Sequence, residues 1–166
     1  MNKKDTVVFD LDGTLLDTLE DLKNSVNYAM TQCGYPEHTL DEVRRYVGNG
    51  ILLLMQRAIP GGKDDPNFDK AFTLFKEHYG KHCNDTTKPY AGIMELLHTL
   101  KENNIKIAIV SNKADFAVKE LNAIYFKDLI LVAIGEKESE GIRKKPAPDT
   151  VIEALKQLGS TAENSV

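Results

Sequence analysis

The chain has few of the features that mark specialised protein classes. Among its 166 residues there are two cysteines, Cys33 and Cys83, and no tryptophan. Two cysteines are too few for a disulfide framework, and neither lies in a cluster with the spacing of metal ligands, so we interpret both as reduced packing residues. The sequence contains neither an apolar run of about 18 residues nor the core of a signal peptide. We therefore expect no membrane segment and a cytoplasmic location.

Charge of one sign is not concentrated anywhere in the sequence. The 21 Lys and Arg residues are opposed by 25 Asp and Glu residues, which gives a net charge of −4. Without a long basic run, we expect neither a nucleic-acid partner nor a membrane-surface partner. With 42% hydrophobic residues, the chain can form one sizeable core, or one core and a small second domain.

The most informative stretch is Val7–Leu16, an apolar run that ends in two carboxylates and a glycine. Asp10 and Asp12 alternate at the expected tip of a buried strand, and Gly13 permits a sharp turn beside them. Such a pair could hold a hard cation and a phosphate. Asp10 is then the better nucleophile candidate, and Asp12 is a candidate general acid and base. Taken alone, the pattern is equally compatible with a strand followed by a plain Asp-Gly turn.

The segment that follows, residues 17–84, is predicted to be entirely helical. Apolar residues at helical spacing predict a first helix over residues 18–33, with Thr18 and Asp21 as a capping box. Three further helices are predicted to begin at Thr39, with Glu42 as its capping partner, at Ile51, and at Pro66, with Asp65 as its cap.

The rest of the chain alternates helices with strands. Strands are predicted over residues 105–110 and 129–134, and helices after residue 92, after residue 113 and from about Pro148 to Leu158. This alternation predicts an α/β fold with a parallel sheet, whose functional groups lie at the carboxyl ends of its strands. Asp10 and Ser111 both occupy such a position.

Three sites stand in order along the chain and together suit phosphoryl transfer. They are the paired aspartates, the strand end at Ser111 and Asn112, and Lys145 before the last helix. Phosphoryl transfer needs a nucleophile, a hydroxyl that donates to the phosphate oxygens and a cation that offsets charge. Taken singly, Ser111 could be a helix-entry hydroxyl and Lys145 a solvated surface lysine. Their order after the aspartates favours the functional interpretation.

With these motifs, the chain resembles the haloacid dehalogenase superfamily. Residues 46–50 and 110–113 are most similar to the phosphoglycolate phosphatases of that family. The resemblance implies a Rossmann-like core over residues 1–16 and 85–166, with an all-helical cap domain inserted at residues 17–84. It also implies a Mg²⁺-dependent phosphatase that hydrolyses a small phosphorylated metabolite.

The resemblance also implies a role for each core residue. Asp10 would be the nucleophile and a magnesium ligand, while Asp12 would supply acid-base catalysis and bind the metal through its backbone carbonyl. Ser111 would bind the phosphoryl group, with Gly13 and Asn112 beside it. Lys145 would neutralise the nucleophile and the phosphate.

The helical cap would supply substrate contacts. Thr18 matches a position that helps to orient the acid-base aspartate in relatives, although helix capping is an equally good explanation. By position, substrate specificity would fall to Arg45, Gly48, Asn49 and Gly50. The alternative is that the glycines simply join two helices and that the arginine is a surface charge.

The sequence departs from the family pattern at its end. Relatives continue from a segment like residues 162–166 into a further strand, whose acidic end completes the magnesium site. We therefore expect a truncated chain that lacks the C-terminal strands of the core and binds the metal more weakly. Two alternatives stay open, a phosphosugar mutase with the same chemistry and a catalytically impaired fragment that only binds phosphate. The oligomeric state is not predicted.

Overall fold

Five strands and seven α-helices lie in residues 4–166, the part of the chain that this computed structural model describes. The strands are β1 (Thr6–Phe9), β2 (Leu16–Asp17), β3 (Lys88–Pro89), β4 (Lys106–Ala114) and β5 (Val132–Glu136). The helices are α1 (Leu19–Gln32), α2 (Leu40–Tyr46), α3 (Ile51–Ala58), α4 (Phe68–His82), α5 (Ile93–Glu102), α6 (Asp115–Tyr125) and α7 (Asp149–Leu158). Short 3-10 turns lie at Gly62–Asp64, Glu138–Glu140 and Ala162–Asn164.

The main sheet is parallel and has the order β1-β4-β5. β4 lies in the centre, where Ala108 pairs with Val8 of β1 on one side and with Val132 of β5 on the other. The predicted α/β fold with a parallel sheet is confirmed. β5 begins at Val132, three residues later than predicted. The preceding residues belong instead to the turn after α6, since the amides of Leu129 and Ile130 both donate to the carbonyl of Phe126.

The sheet carries apolar layers on both faces, because alternate residues of β4 point in opposite directions. Ile107 and Ile109 belong to a cluster that includes Leu97 of α5 and Leu121 of α6. The intervening residues of β4 pack in a second cluster with Ala154 of α7. The helices of this part of the chain thus cover both faces of the sheet and leave the strand ends to carry polar groups.

The last residues of the chain lie along the outer edge of β1. The amide of Val8 donates to the carbonyl of Val166 (2.9 Å), and the amide of Val166 donates to the carbonyl of Thr6 (3.1 Å). Ser165 forms a parallel bridge with Thr6. Residues 165 and 166 thus pair with the beginning of this edge of β1.

The chain forms two compact units. The first comprises the chain up to Leu16 together with Pro89–Val166, and the second comprises Asp17–Lys88. Both passages of the chain between the units fall within the small sheet formed by β2 and β3. No helix in residues 4–166 has the length and apolar character needed to cross a membrane.

The second unit contains α1–α4 around its own apolar core, in which Met30, Met55 and Phe75 are fully buried. The predicted capping box of α2 is confirmed. The Thr39 hydroxyl accepts a hydrogen bond from the Glu42 amide (3.3 Å), and the Glu42 carboxylate accepts one from the Thr39 amide (2.7 Å). Reciprocal bonds of this kind satisfy two backbone donors at a helix start.

Two predicted helix caps are wrong. Thr18 precedes α1, but its side chain makes no capping hydrogen bond. α4 begins at Phe68, after Asn67, so that Pro66 lies before the helix. The Asp65 carboxylate accepts hydrogen bonds from the Tyr35 hydroxyl (2.5 Å) and the Asn67 amide (2.8 Å). The bond from the backbone amide of Asn67 closes a local turn before α4, and the bond from Tyr35 joins this turn to the segment after α1.

Asp21 connects the two ends of the second unit. Its side chain lies in the first turn of α1 and is almost fully buried. One carboxylate oxygen accepts from the amide (3.0 Å) and hydroxyl (2.7 Å) of Thr86. The other accepts from the amide (2.9 Å) and hydroxyl (2.8 Å) of Thr87. We call this arrangement the Asp21 clamp, because it holds the start of α1 against the segment that leads into β3.

Candidate functional site

Two carboxylates follow β1 in close succession. The side chain of Asp10 is 44% exposed, whereas that of Asp12 is 17% exposed. Leu11 between them is fully buried. Gly13 has a φ of +77° and donates its amide to the carbonyl of Leu16 (2.9 Å). Because a left-handed backbone favours glycine, Gly13 permits the turn that follows the two aspartates.

Lys145 reaches Asp10 from the segment before α7. Its Nζ donates to Oδ1 of Asp10 (2.8 Å) and to the backbone carbonyl of Val110 (2.9 Å). The ammonium group therefore lies between the ends of β1 and β4. The structure thus brings together two of the sequence-predicted sites, the first aspartate and the lysine.

Asn112 holds the backbone of Lys145. Its side-chain oxygen accepts from the Lys145 amide (2.9 Å), and its side-chain nitrogen donates to the Lys145 carbonyl (3.1 Å). These two bonds couple the end of β4 to the segment before α7. In the structure, Asn112 fixes the backbone of Lys145, whose Nζ group lies beside Asp10. Contact between Asn112 and phosphate stays a prediction.

Ser111 lies in β4 and is almost fully buried. Its hydroxyl oxygen accepts a hydrogen bond from the amide of Lys113 (3.2 Å). The residue before it provides the carbonyl that binds Lys145, so Ser111 lies directly beside the Asp10–Lys145 pair along the strand. Its role in binding phosphate stays a prediction.

Lys113 is the residue that the sequence analysis missed. Its Nζ lies 3.1 Å from Oδ1 of Asp12, and its side chain is only 4% exposed. The signal was its position two residues after Ser111, because alternate residues of a strand share a face. A lysine in an otherwise buried strand is also uncommon unless it is paired. The two aspartates after β1 thus each have a lysine partner.

Gly135 allows β5 to approach this segment closely. A Cβ atom at Gly135 would lie 2.4 Å from the Cα of Asp115 and 2.6 Å from the carbonyl oxygen of Lys113. The Gly135 amide also donates to the Asp115 carboxylate (2.9 Å). Because glycine has no Cβ atom, β5 can pack against the backbone of the segment that carries Lys113.

We expect Gly135→Ala to lower the free energy of unfolding by about 3 kcal/mol, because backbone atoms cannot move aside as a flexible side chain can. Chemical denaturation of the wild type and the variant measures this loss. Gly80→Ala is the matched control, since a Cβ there meets no atom within 4 Å. An equally stable Gly135→Ala protein would show that the close approach is not required.

The site offers carboxylate oxygens to a metal ion. In residues 4–166, no group of three or more His, Cys, Asp or Glu side chains is placed to hold one. Asp10 supplies an exposed carboxylate and Asp12 would add its backbone carbonyl, and Mg²⁺ in proteins is commonly bound by one or two carboxylates together with water and substrate phosphate. The residues present therefore fit a hard divalent cation that completes its coordination with water and substrate.

The remaining candidates belong to the second unit. Gly48 and Gly50, with φ values of +116° and +88°, form the turn between α2 and α3. Asn49 accepts a hydrogen bond from Arg57 (3.3 Å), which also donates to the carbonyl of residue 46 (2.8 Å). Arg57 thus holds this turn from both sides, a contact that the sequence did not reveal. Arg45 is exposed, and its Nε donates to the carbonyl of residue 41 (3.1 Å).

The structure supports the helix-joining role of the two glycines, since both need a left-handed backbone. Thr18 is almost fully buried at the start of α1. Substrate contacts by Thr18, Arg45, Gly48, Asn49 and Gly50 stay predictions.

The family model and the relatives that this chain matches all point to one hydrolase family. A family model described as haloacid dehalogenase-like hydrolase matches residues 7–166. The phosphoglycolate phosphatase of Thiobacillus denitrificans is 33% identical over 159 residues, which cover 92% of this chain and 69% of that protein. The phosphoglycolate phosphatase of Aquifex aeolicus is 32% identical over 164 residues, which cover 96% of this chain and 73% of that protein. The chain thus spans about seven tenths of the length of these two relatives.

Solved structures share the fold. A protein of Lactobacillus delbrueckii subsp. bulgaricus, assigned as a phosphoglycolate phosphatase, superposes with a TM-score of 0.87 at 32% identity. That match covers 98% of this chain and 77% of the other. A predicted phosphoglycolate phosphatase of Haemophilus somnus gives the same TM-score at 26% identity, covering 99% of this chain and 76% of its own.

Proposed function

Because the chain belongs to the haloacid dehalogenase-like hydrolase family, we propose that it is a magnesium-dependent phosphatase of a small phosphorylated metabolite such as phosphoglycolate. The observation that carries this proposal is the placement of the Lys145 ammonium 2.8 Å from the exposed carboxylate of Asp10. A nucleophile that is accessible and beside a fixed cation can approach an anionic phosphate. The relatives named phosphoglycolate phosphatase support the substrate class.

In the proposed reaction, a carboxylate oxygen of Asp10 attacks phosphorus. The bond between phosphorus and the ester oxygen breaks, and the departing oxygen takes a proton from Asp12. Asp12 then removes a proton from a water molecule, which attacks the aspartyl-phosphate and releases inorganic phosphate. Asp12 begins the cycle protonated, and the proton that it takes from water replaces the one that it gave to the departing oxygen. Both aspartates thereby return to their starting states.

The charges of the site suit this sequence of steps. Lys145 offsets the negative charge where Asp10 meets phosphate, and its contact with the carbonyl of Val110 fixes its position. Magnesium, when bound by the two aspartates, would screen the nucleophile from the phosphate and polarise the phosphoryl oxygens. Ser111, at the end of the neighbouring strand, is the residue we assign to binding those oxygens.

Release of phosphate from p-nitrophenyl phosphate and from phosphoglycolate tests the proposal. We expect hydrolysis with Mg²⁺ and at least about a tenfold loss when EDTA removes the metal. Added Mg²⁺ should restore the rate, which separates metal removal from damage to the protein. Hydrolysis that does not respond to EDTA would contradict magnesium dependence.

The same assay separates the two alternatives. A phosphosugar mutase would convert a sugar monophosphate into its isomer without releasing phosphate. A phosphate-binding fragment would bind inorganic phosphate in calorimetry but would release none from either ester. Either result would overturn the proposed phosphatase.

A further inference from the structure

Lys113 is a buried cation to which the proposed reaction assigns no task. Lysine is almost never fully buried unless it is paired, because removing the ammonium group from water is costly. In this structure the residue is 6% exposed, and its Nζ lies 3.1 Å from Oδ1 of Asp12. Its placement beside the candidate acid-base residue therefore needs an explanation.

The backbone of Lys113 is held on two sides. Its amide donates to the hydroxyl of Ser111 (3.2 Å). Its carbonyl lies in the region that a side chain at Gly135 would occupy, so β5 packs directly against it. The side chain thus extends from a fixed point on β4 to the loop after β1. It is a rigid connection between β4 and Asp12.

Asp12 is a residue that needs such a connection. It stands between the buried Leu11 and the glycine turn at Gly13, where the backbone adopts a left-handed conformation. A carboxylate is planar, so a bond that fixes one oxygen restricts rotation of the group and defines where the other oxygen lies. Acid-base catalysis depends on this placement, because the proton must be exchanged with a group at hydrogen-bond distance.

We propose that Lys113 is a positioning residue that holds the carboxylate of Asp12 in the orientation required for proton transfer. The proposal rests on the proposed phosphatase function. It assigns Lys113 no contact with the substrate. Its effect is exerted through Asp12, in contrast to that of Lys145, which acts on Asp10.

The ion pair between Lys119 and Asp115, in the same unit, provides a comparison for the buried pair of Lys113 and Asp12. Lys119 pairs with Asp115 at 2.6 Å, but its side chain is 58% exposed and lies on α6. Exposed pairs of this kind contribute little to stability. Lys119 pairs with Asp115, whereas Asp10 and Asp12 pair with Lys145 and Lys113, so Lys119 provides a matched control.

Steady-state kinetics with p-nitrophenyl phosphate and Mg²⁺ test the proposal. We expect Lys113→Met, which keeps an unbranched side chain but removes the ammonium, to lower kcat by about 100-fold, as a misplaced catalytic group does. KM should change less than about threefold, because substrate binding is not affected. The kcat of Lys113→Arg should be at least about tenfold higher than that of Lys113→Met. Lys119→Met should leave kcat within about twofold of the wild type.

A double-mutant cycle decides whether Lys113 acts through Asp12. In an Asp12→Asn background, Lys113→Met should lower kcat by less than about twofold, since the residue it positions is no longer functional. An additional loss of about 100-fold in that background would overturn the proposal. So would a loss confined to KM, or one that Lys113→Arg does not repair.

An inactive wild-type chain would contradict the proposed function, and the positioning role would still be tested by a crystal structure of Lys113→Met. We expect the Asp12 carboxylate to rotate away from its wild-type orientation or to occupy several orientations. An unchanged carboxylate would overturn the positioning role independently of any activity.

Discussion

Asp10→Asn is expected to lower the rate of phosphate release by roughly 10⁴-fold or more, because an amide cannot form the acyl-phosphate bond of the proposed intermediate. The substitution changes the shape of the side chain very little. The amide oxygen can still accept the hydrogen bond that Lys145 donates to Oδ1. We therefore expect the fold and the position of Lys145 to be retained while chemistry is lost. Single-turnover release of phosphate, with the thermal midpoint measured in parallel, separates these effects.

The control for this experiment lies at the other end of the same strand. Asp5 precedes β1, and its carboxylate accepts hydrogen bonds from the hydroxyls of Thr6 (2.7 Å) and Ser160 (3.1 Å). Asp5→Asn should leave the rate within about twofold of the wild type, as expected for a surface change far from the chemistry. An Asp10→Asn protein that retained full activity would rule out Asp10 as the nucleophile.

Asp21→Ala is expected to produce the largest loss of stability, about 3–4 kcal/mol. In the Asp21 clamp, the carboxylate accepts hydrogen bonds from four donors, the amides and hydroxyls of Thr86 and Thr87, at distances of 2.7 to 3.1 Å. Removing the carboxylate leaves the amide of the buried Thr87 without its acceptor, whereas the donors of the exposed Thr86 can turn to water. Chemical denaturation followed by circular dichroism measures the loss.

Asp69→Ala is the matched control for the Asp21 clamp. Asp69 also lies in the first turn of a helix, α4, but it is exposed. Both substitutions remove the same favourable charge at a helix start, which is worth less than about 1 kcal/mol. The difference between the two variants therefore measures the clamp itself. Equal losses would show that the buried hydrogen bonds contribute nothing beyond the helix-end charge.

The Asp21 clamp also predicts how stability responds to acid. Burial alone would raise the pKa of Asp21, but the hydrogen bonds from the side chains and amides of Thr86 and Thr87 outweigh it and lower the pKa below its ordinary value. A carboxyl with a lowered folded-state pKa stabilises the protein above the unfolded pKa, about pH 4, and loses this effect as pH falls through the folded pKa. The stability gap between wild type and Asp21→Ala should therefore be constant near neutrality and narrow below about pH 4.

The sequence was informative where a pattern repeats locally. Apolar periodicity predicted the parallel sheet and its helices, and the spacing of Thr39 and Glu42 predicted a capping box that the structure contains. The position of strand ends in a parallel sheet led us to expect Asp10 and Ser111 at one edge. These features depend on residues close together in the chain, or on a general rule of parallel sheets.

The sequence was uninformative where a polar side chain finds a distant partner. Asp21 has the spacing of a capping residue, but its carboxylate oxygens accept hydrogen bonds from Thr86 and Thr87, which lie 65 and 66 residues further along the chain. Lys113 and Asp12 are 101 residues apart. No local periodicity records such pairs, because burial and the approach of separate segments create them. The need for Gly135 arises in the same way, from a backbone contact with Asp115 that only the folded sheet makes.

The pairing of Val166 with β1 gives the nucleophile's strand two edges of different rigidity. On its inner edge, β1 is hydrogen-bonded to the central strand β4. On its outer edge, the amide of Val8 donates to the carbonyl of Val166, beside the isolated bridge between Thr6 and Ser165. An isolated bridge opens locally at a smaller free-energy cost than pairing with a central strand. Amide hydrogen exchange along β1 should therefore alternate from residue to residue, with Val8 exchanging faster than Val7 and Phe9.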